Sequence, residues 1–505
     1  MFDLFLEGLT SVMTFKTILF ILLGVIMGLV FGSIPGLTAT MAIAITLPMT
    51  FGMSQMDGMA ILMGLYIGGV SGGLIPAILL KLPGTPSSIA TTFDGYPMAK
   101  NGEAGKAFGY AIVFSFLGGL LSIFILMLVA PPLATIALKF GPYEYFAITI
   151  FALTMISSLA GSSLVKGVLA GLMGIGLAMV GSAPIDAFPR FTFGYSGLDA
   201  GFNLLPVLIG LFAVAEIIKA SERKIKKEKS IEYKMKGFGF SLVDFFKQGW
   251  NGLRSSIIGV AIGILPGIGG GTANIIAYVT AKNQSKTPEK FGKGIPDGVV
   301  ASESANNAAI GGALVPLIAL GIPGDTVTAL LLGGLVIHGL TPGPLLFQDN
   351  GDVVYGIFIA LIIANVAMIA FLYFGMRFFT RILSIPKYIL LPIILVLCVV
   401  GAIGVNNRMF DAGALLLFGI LGYLMLKYKF PVAPVILGFI LGPLVETNLR
   451  RGLMYSQGDF LPFLTEPIAA VFLGLAALSI IFKIRDNHKK KRKKLESLDN
   501  TNNGI

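Results

Sequence analysis

Three short stretches hold most of the residues able to bind or carry charge within an otherwise apolar chain. The first is Pro83-Gly84-Thr85-Pro86-Ser87-Ser88. Proline and glycine interrupt a helix, and a hydroxyl residue beside a proline starts the next one. A helix start aims free N–H groups and a partial positive charge outward, which suits an anion. The second stretch, Pro323-Gly324-Asp325-Thr326-Val327-Thr328, follows the same plan with Asp325 in the place of Thr85. A carboxylate there can coordinate Na⁺ or carry a proton; it can equally be a plain helix cap. The third is Ser302-Glu303-Ser304-Ala305-Asn306-Asn307. Glu303 and Asn307 share a helix face, and the amides offer donors and acceptors to a polyoxygenated substrate. An ionisable residue in a membrane segment costs about 2.5–3.5 kcal/mol on insertion scales and is a functional candidate by default. The plainer alternatives are an interfacial position for Glu303 and interhelical bonding for Asn306 and Asn307.

The candidate substrate-binding set is therefore Gly36, Gly84, Thr85, Ser87, Ser88, Asn306, Asn307, Gly324 and Thr326. Lys81, Glu303 and Asp325 are candidate ion or substrate contacts, with Na⁺ considered at Asp325 and no other metal. Lys81 either meets a carboxylate or snorkels to an interface. Asp94-Gly95-Tyr96-Pro97 reads as a structural turn, and His338 as a packed or capped histidine rather than a proton relay.

The elements that must position these groups lie in a membrane. Of 505 residues, 55% are hydrophobic and 12% charged, with 65 glycines, and the mean hydropathy is +0.86. A soluble protein carries about 25% charged residues, so a secreted domain, a cytosolic enzyme and a nucleic-acid-binding protein are excluded as whole-chain readings. The fold class is an all-α polytopic membrane protein with about 11–14 membrane segments, some broken or re-entrant. The net charge of +11 is concentrated in two stretches. Lys219–Lys236 is net +5 and Lys483–Lys494 net +7, and both are expected on the cytoplasmic side. The N-terminus carries Asp3 and Glu7 before its first lysine, unlike a cleaved secretory signal. Cys398 lies alone in an apolar run. Trp250 is expected at a membrane interface, and Leu495–Ile505 is expected to be disordered. GxxxG steps at Gly24/Gly28/Gly32, Gly167/Gly171, Gly259/Gly263/Gly267 and Gly438/Gly442 predict close helix packing.

An internal repeat organises the chain. Gly72–Gly84 aligns without gaps with Gly312–Gly324 at an offset of 240, with seven of 13 positions identical. Pro35-Gly36 matches Pro266-Gly267 at an offset of 231. Residues 1–219 form the first transmembrane repeat and 220–250 a basic cytoplasmic connector; 251–483 form the second repeat and 484–505 a basic cytoplasmic tail. Breaks at matching positions of two halves point to a transporter binding site.

At these motifs the chain resembles the large membrane subunit of the tripartite tricarboxylate transporter family. The resemblance rests on Gly32-Ser-Ile-Pro35-Gly36-Leu37, Pro83-Gly84-Thr85-Pro86-Ser87-Ser88, Asp94-Gly95-Tyr96-Pro97 and Phe291-Gly292-Lys293-Gly294. It continues through Glu303-Ser-Ala-Asn306-Asn307-Ala308, Leu320-Gly321-Ile322-Pro323-Gly324 and His338-Gly339-Leu340-Thr341-Pro342-Gly343-Pro344. It implies inverted repeats and a multi-pass protein of the bacterial cytoplasmic (inner) membrane with a cytoplasmic C-terminus. It also implies import of citrate or related organic acids, coupled to Na⁺ or H⁺ and without a cofactor. The implied partners are a small four-helix membrane subunit and a periplasmic solute-binding protein, and no nucleic acid. Lys81 and Asp325 depart from the family pattern, which usually has a small polar residue and a serine there.

Two other classes compete with a secondary transporter. Gly69-Val70-Ser71-Gly72-Gly73 matches GxSxG and, with His338 as base, would make an intramembrane serine hydrolase. A passive channel or assembly subunit is the other. No GxxxxGK[ST] phosphate loop occurs, which disfavours an ATP-driven pump.

Overall fold

The computed structural model describes residues 2–159, 163–222, 239–382, 387–406 and 408–502. It is helical apart from one two-stranded antiparallel pair, Gly181–Ser182 with Pro189–Arg190, among the described residues. Among the described residues, seven helices are long and apolar enough to cross a membrane. Four shorter apolar helices accompany them, Ala39–Thr50, Leu164–Ala178, Thr326–Ile337 and Ile389–Gly404. The chain is thus an all-α polytopic membrane protein.

It divides into two compact units, residues 1–139 with 203–426 and residues 140–202 with 427–505. Each unit draws on both sequence halves. In the larger unit the helix Pro296–Leu320 is central. Every residue from Gly298 to Ala319 is buried, including the polar run that holds Glu303 and Asn306. Ala104–Ala137, Leu242–Ile264 and Gly269–Gln284 pack around it. Phe15–Ser33 packs along Gln55–Gly72.

The glycine steps make these approaches possible. A Cβ on Gly28 would lie 2.6 Å from the Leu65 carbonyl oxygen and from the Gly69 nitrogen. A Cβ on Gly263 would lie 2.6 Å from the Ala309 oxygen. Backbone cannot yield as a side-chain tip can, so the interhelical distance depends on the missing methyl.

In the smaller unit Ala433–Tyr455 packs on Pro142–Leu159 and Leu164–Ala178, and Pro467–Asn502 also lies along Pro142–Leu159. The strand pair is tied down where Arg190 donates to both Glu446 carboxylate oxygens, at 2.8 and 3.1 Å. This planar two-bond geometry is the strong form of an arginine–carboxylate pair.

Two local expectations are corrected. Leu495–Asn502 continues the helix Pro467–Asn502 instead of being disordered, while residues 503–505 lie outside the described residues; its leucines and glutamate are good helix formers, and extending an existing helix needs no new nucleus. Asp94-Gly95-Tyr96-Pro97 is not a turn but part of the helix Thr91–Met98. Asp94 bonds a distant loop rather than its own backbone, so it does not draw the chain into a local turn. Residues 223–238 of the basic connector lie outside the described residues, and its last residues already belong to Leu242–Ile264. Trp250 on that helix is exposed.

Substituting Gly28→Ala or Gly263→Ala should each destabilise the protein by at least about 1–3 kcal/mol through overpacking. Gly413→Ala, at a helical position with nothing within 4 Å, should be neutral or slightly stabilising. Thermal unfolding in detergent by intrinsic fluorescence checks this; equal melting of all three variants would refute the packing argument.

Candidate functional site

The two Pro-Gly motifs adopt the same local geometry at the 240-residue offset. Lys81 (φ 57°) and Gly321 (φ 72°) both take the left-handed conformation. Leu82 N–H donates to the Pro76 oxygen at 3.3 Å, and Ile322 N–H to the Pro316 oxygen at 3.1 Å, each bond closing the helix end around its left-handed residue. Beyond the break, Thr85 N–H donates to Ser88 Oγ at 3.3 Å and Asp325 N–H to Thr328 Oγ1 at 2.7 Å. Gly36 (φ 92°) and Gly267 (φ 79°) turn the chain at the other pair of breaks. The Gly267 N–H donates to the Gly324 oxygen at 2.7 Å, tying two breaks directly together. Gly84 and Gly324 are needed for close approach: a Cβ would lie 2.8 Å from Gly73 Cα in one case and 2.6 Å from Ala313 Cα in the other.

The breaks interlock across the halves. Asp325 caps the helix Thr326–Ile337, its Oδ1 accepting the Thr328 N–H at 2.7 Å, while Oδ2 accepts from Tyr66 Oη at 2.8 Å. Thr40 and Thr326 share a hydroxyl hydrogen bond of 3.3 Å. Asn274 Nδ2 donates to the Ser87 carbonyl oxygen. A Cβ on Gly270 would lie 3.0 Å from Asn306 Oδ1 and 3.1 Å from Ser87 Oγ. Gly269, Gly270 and Gly271 open the helix Gly269–Gln284, which has no side-chain cap. Its free N–H groups therefore face this junction.

Three buried polar atoms at this junction lack a hydrogen bond, Asn306 Oδ1 and Nδ2 and Asn274 Oδ1, and so does Thr85 Oγ1, which lies against Gly73. Leaving such an atom unpaired costs about 1–3 kcal/mol. Residue 306 stands 240 after Tyr66, and Asp325 stands 240 after Thr85. Where Tyr66 and Asp325 satisfy each other, their counterparts Asn306 and Thr85 remain open. The junction can accept hydrogen bonds from and donate them to a ligand of similar polarity.

The other expected residues fall in different places. Asn307 is fully engaged: Ser71 Oγ donates to its Oδ1 at 2.7 Å, and its Nδ2 donates to the Glu303 carbonyl oxygen at 3.2 Å. Ser88 bonds the Thr85 backbone. Lys81 is exposed, with Nζ 5.8 Å from the Tyr96 ring centroid, apart from the open junction. Glu303 is wholly buried and accepts from Thr91 Oγ1 at 2.5 Å and Ser115 Oγ at 2.9 Å. His338 bonds Thr50 Oγ1 at 3.0 Å and packs beside Gly58. Gly58 and Ser71 lie 13 residues apart on one helix, about 20 Å at 1.5 Å per residue. Ser71 and His338 therefore form no nucleophile–base pair.

Asn274 and the glycine run 269–271 were not anticipated, although three glycines directly after a Pro-Gly break are a readable signal. Asp94 carried no such signal. It is fully buried, and its Oδ1 accepts from the N–H groups of Gly292, Gly294 and Ile295 at 2.9, 2.8 and 3.1 Å. Tyr278 Oη donates to its Oδ2 at 2.8 Å. Gly292 (φ 82°) and Gly294 (φ 106°) curl the loop so that its amides converge. The two sequence motifs around Asp94 and Phe291 are thus one clamp. Asp94→Ala should free this loop: amide hydrogen exchange at Gly292, Gly294 and Ile295 should accelerate by at least tenfold, about 1.4 kcal/mol of lost protection. Unchanged exchange would mean the clamp does not hold the loop.

Comparison with known proteins agrees with this arrangement of motifs. The profile of the Tripartite tricarboxylate transporter TctA family matches residues 18–437. An "uncharacterized 52.8 kDa protein in TAR-I ttuC′ 3′ region" of Agrobacterium vitis is 37% identical over 488 residues, covering 97% of both chains. An "uncharacterized protein in TAR-II ttuC′ 3′ region" of the same organism is 38% identical over 234 residues, 46% of this chain and 97% of its own. No solved structure matches the chain. The chain belongs to the tripartite tricarboxylate transporter TctA family, whose members are membrane components of a multi-subunit transport system.

Proposed function

We propose that this protein is the permease subunit of a binding-protein-dependent importer for tricarboxylates or related organic acids, driven by an ion gradient. The observation that carries this reading is the set of unpaired buried atoms on Asn306, Asn274 and Thr85 at the junction of the broken helices. A carboxylate substrate would accept from Asn306 Nδ2, Ser87 Oγ, Thr85 Oγ1 and the free amides of Gly269–Gly271. Its hydroxyl groups, where present, would donate to Asn306 Oδ1 and Asn274 Oδ1. The helix start at Gly269 adds a favourable field for the anion.

Thr326, held against Thr40, lies at the start of the opposing helix and would form the far wall. Two inverted repeats moving about such a junction would expose it to each side in turn. A periplasmic binding protein would deliver the acid, and a small four-helix subunit would accompany this one in the inner membrane, with the C-terminus cytoplasmic. Na⁺ or H⁺ would supply the driving force.

Asn306→Ala should reduce uptake by at least about tenfold at normal membrane abundance, because one bidentate polar contact is worth about 1–3 kcal/mol. Asn307→Ala should instead lower abundance or melting temperature. Radiolabelled uptake alongside quantitative immunoblotting separates the two, and normal uptake by Asn306→Ala would remove this site. In reconstituted vesicles holding the membrane subunits, the cognate binding protein should stimulate uptake against a concentration gradient. Equal rates without the binding protein, or uptake that persists once the ion gradient is collapsed, would point to a passive pathway.

A further inference from the structure

The buried carboxyl of Glu303 is the one strongly polar group in the central helix that the substrate junction leaves unexplained. It is 0% exposed, and its two oxygens accept from two hydroxyls, Thr91 Oγ1 at 2.5 Å and Ser115 Oγ at 2.9 Å. Among the described residues no lysine, arginine or histidine pairs with it. Nor is it at a helix start, where Asp325 finds compensation from the Thr328 N–H. An ionised carboxylate held this way, away from water and without a cation, is strongly disfavoured.

Among the described residues, the elements packed against the central helix place no ion-pair partner on Glu303. On Thr91–Met98 the acid is Asp94, saturated by the amides of residues 292, 294 and 295 and by Tyr278 of Gly269–Gln284. Ala104–Ala137 contributes Ser115 and, near its start, Lys106 and Tyr110; Lys106 pairs with Glu103, and Tyr110 stacks on Phe240. On Leu242–Ile264, Lys247 pairs with Asp244, and Arg254 is engaged by Gln284 and Asn251. Lys282 of Gly269–Gln284 is two turns beyond Asn274 towards the helix end. Gln55–Gly72 brings Asp57, which pairs with Lys16, and Tyr66, which bonds Asp325. Asp297 at the start of the central helix accepts from Gln248, and Asp349 of Pro344–Asp349 is exposed.

Position gives the carboxyl its significance. Positions 298, 302 and 306 of the central helix recur every four residues on one face. Gly298 lies against Asp94, and Ser302 Oγ shares a 3.1 Å hydrogen bond with Thr91. Asn306 faces Ser87 across Gly270. A polar seam thus runs from the clamped loop to the open junction, with Glu303 in its middle. Asn306, one turn along the helix, lies within reach of the Glu303 carboxyl, and in this arrangement neither of its amide atoms completes a well-aligned hydrogen bond.

We infer that Glu303 is the proton-binding site that couples the substrate junction to a proton gradient. This inference rests on the proposed carboxylate transport. One proton from water on the entry side adds to a Glu303 oxygen, converting the carboxylate to the neutral acid. Repulsion between Glu303 and an incoming anion one helical turn away then vanishes, and Asn306 is free to bind the substrate. After the junction opens to the other side, the substrate leaves and the proton returns to water there, restoring the carboxylate. No bond other than O–H forms or breaks, and the charge of one proton moves with each cycle. Thr91 and Ser115 both donate to the carboxylate; in the neutral acid the new O–H donates to one of these hydroxyl oxygens, which turns to accept it. Two hydroxyls contacting the carboxyl directly are fewer oxygens than a sodium ion gathers, whereas a proton needs a single oxygen.

Infrared difference spectroscopy on the purified full-length protein tests this without needing the substrate. Acidification from about pH 9 to about pH 5 should produce the carbonyl band of a protonated carboxyl. The band should be absent in Glu303→Gln, retained in Asp325→Asn, and shifted in frequency in Ser115→Ala, which keeps the acid but removes one hydrogen bond. A titrating band that survives in Glu303→Gln, or no titrating band in the wild type, would overturn the inference. So would suppression of the band by sodium chloride at constant pH, which would make Glu303 a sodium site. In vesicles carrying the complete system, Glu303→Gln should retain substrate exchange but lose at least tenfold in proton-driven accumulation. A wild-type system that moves no carboxylate would sink the proposed function alone, leaving the infrared result to decide whether Glu303 binds a proton.

Discussion

A helix broken inside a membrane frees backbone N–H and C=O groups that lipid cannot satisfy. The larger unit of this protein is arranged around that constraint. The Gly267 N–H bonds the Gly324 oxygen, Ile322 and Leu82 close their helices back onto Pro316 and Pro76, and Asp325 caps the helix that follows its break. These bonds require the broken segments to meet one another, and the meeting requires backbones to approach where only glycine fits. Gly84, Gly324 and the steps along Phe15–Ser33 and Leu242–Ile264 are therefore parts of one solution, since lost methyl groups permit the crossing and the crossing satisfies the breaks.

The polar atoms left over at that crossing have a different meaning. Most buried polar groups in the larger unit are paired, often across the two sequence halves, as in Ser71 with Asn307 and Tyr66 with Asp325. Against that background the open atoms of Asn306 and Asn274 belong to side chains that flank Ser87, where two broken segments meet. A packed interior tolerates few such atoms, and a transport site needs them, because a substrate that arrives and departs must find partners not already engaged. Asn306 and Asn307 illustrate the difference: adjacent in sequence and chemically identical, they point to different neighbours, and only Asn307 is used in holding helices together.

Much of this was legible in the sequence. Apolar composition and charge placement require a membrane protein, since no soluble core absorbs 55% hydrophobic residues with 12% charge. The paired Pro-Gly breaks were visible because proline and glycine act locally. Their interlocking was not, because no local rule brings Thr40 to Thr326 or Ser87 to Gly270. The Asp94 motif reads locally as a turn and is instead a helix whose carboxylate gathers three amides from a loop nearly 200 residues away. Lys81 attracted attention as a cation beside a break, yet its left-handed position at the helix end turns the side chain to the surface beside Tyr96.

Sequence alone determined that the chain is helical, membrane-embedded and interrupted at matching positions, and its ordered motifs pointed to its family. These properties follow from composition and from residues whose backbone preferences act within a few positions. Tertiary structure alone decided which polar groups are consumed and which stay open. It paired Asn307 with Ser71 and left both Asn306 amide atoms without an aligned partner, and among the described residues it set hydroxyls but no cation on Glu303. It also separated His338 from Ser71 along the length of a helix. Hydrogen-bond satisfaction depends on distances of about 3 Å between segments far apart in the chain, and those distances exist only once the helices have packed.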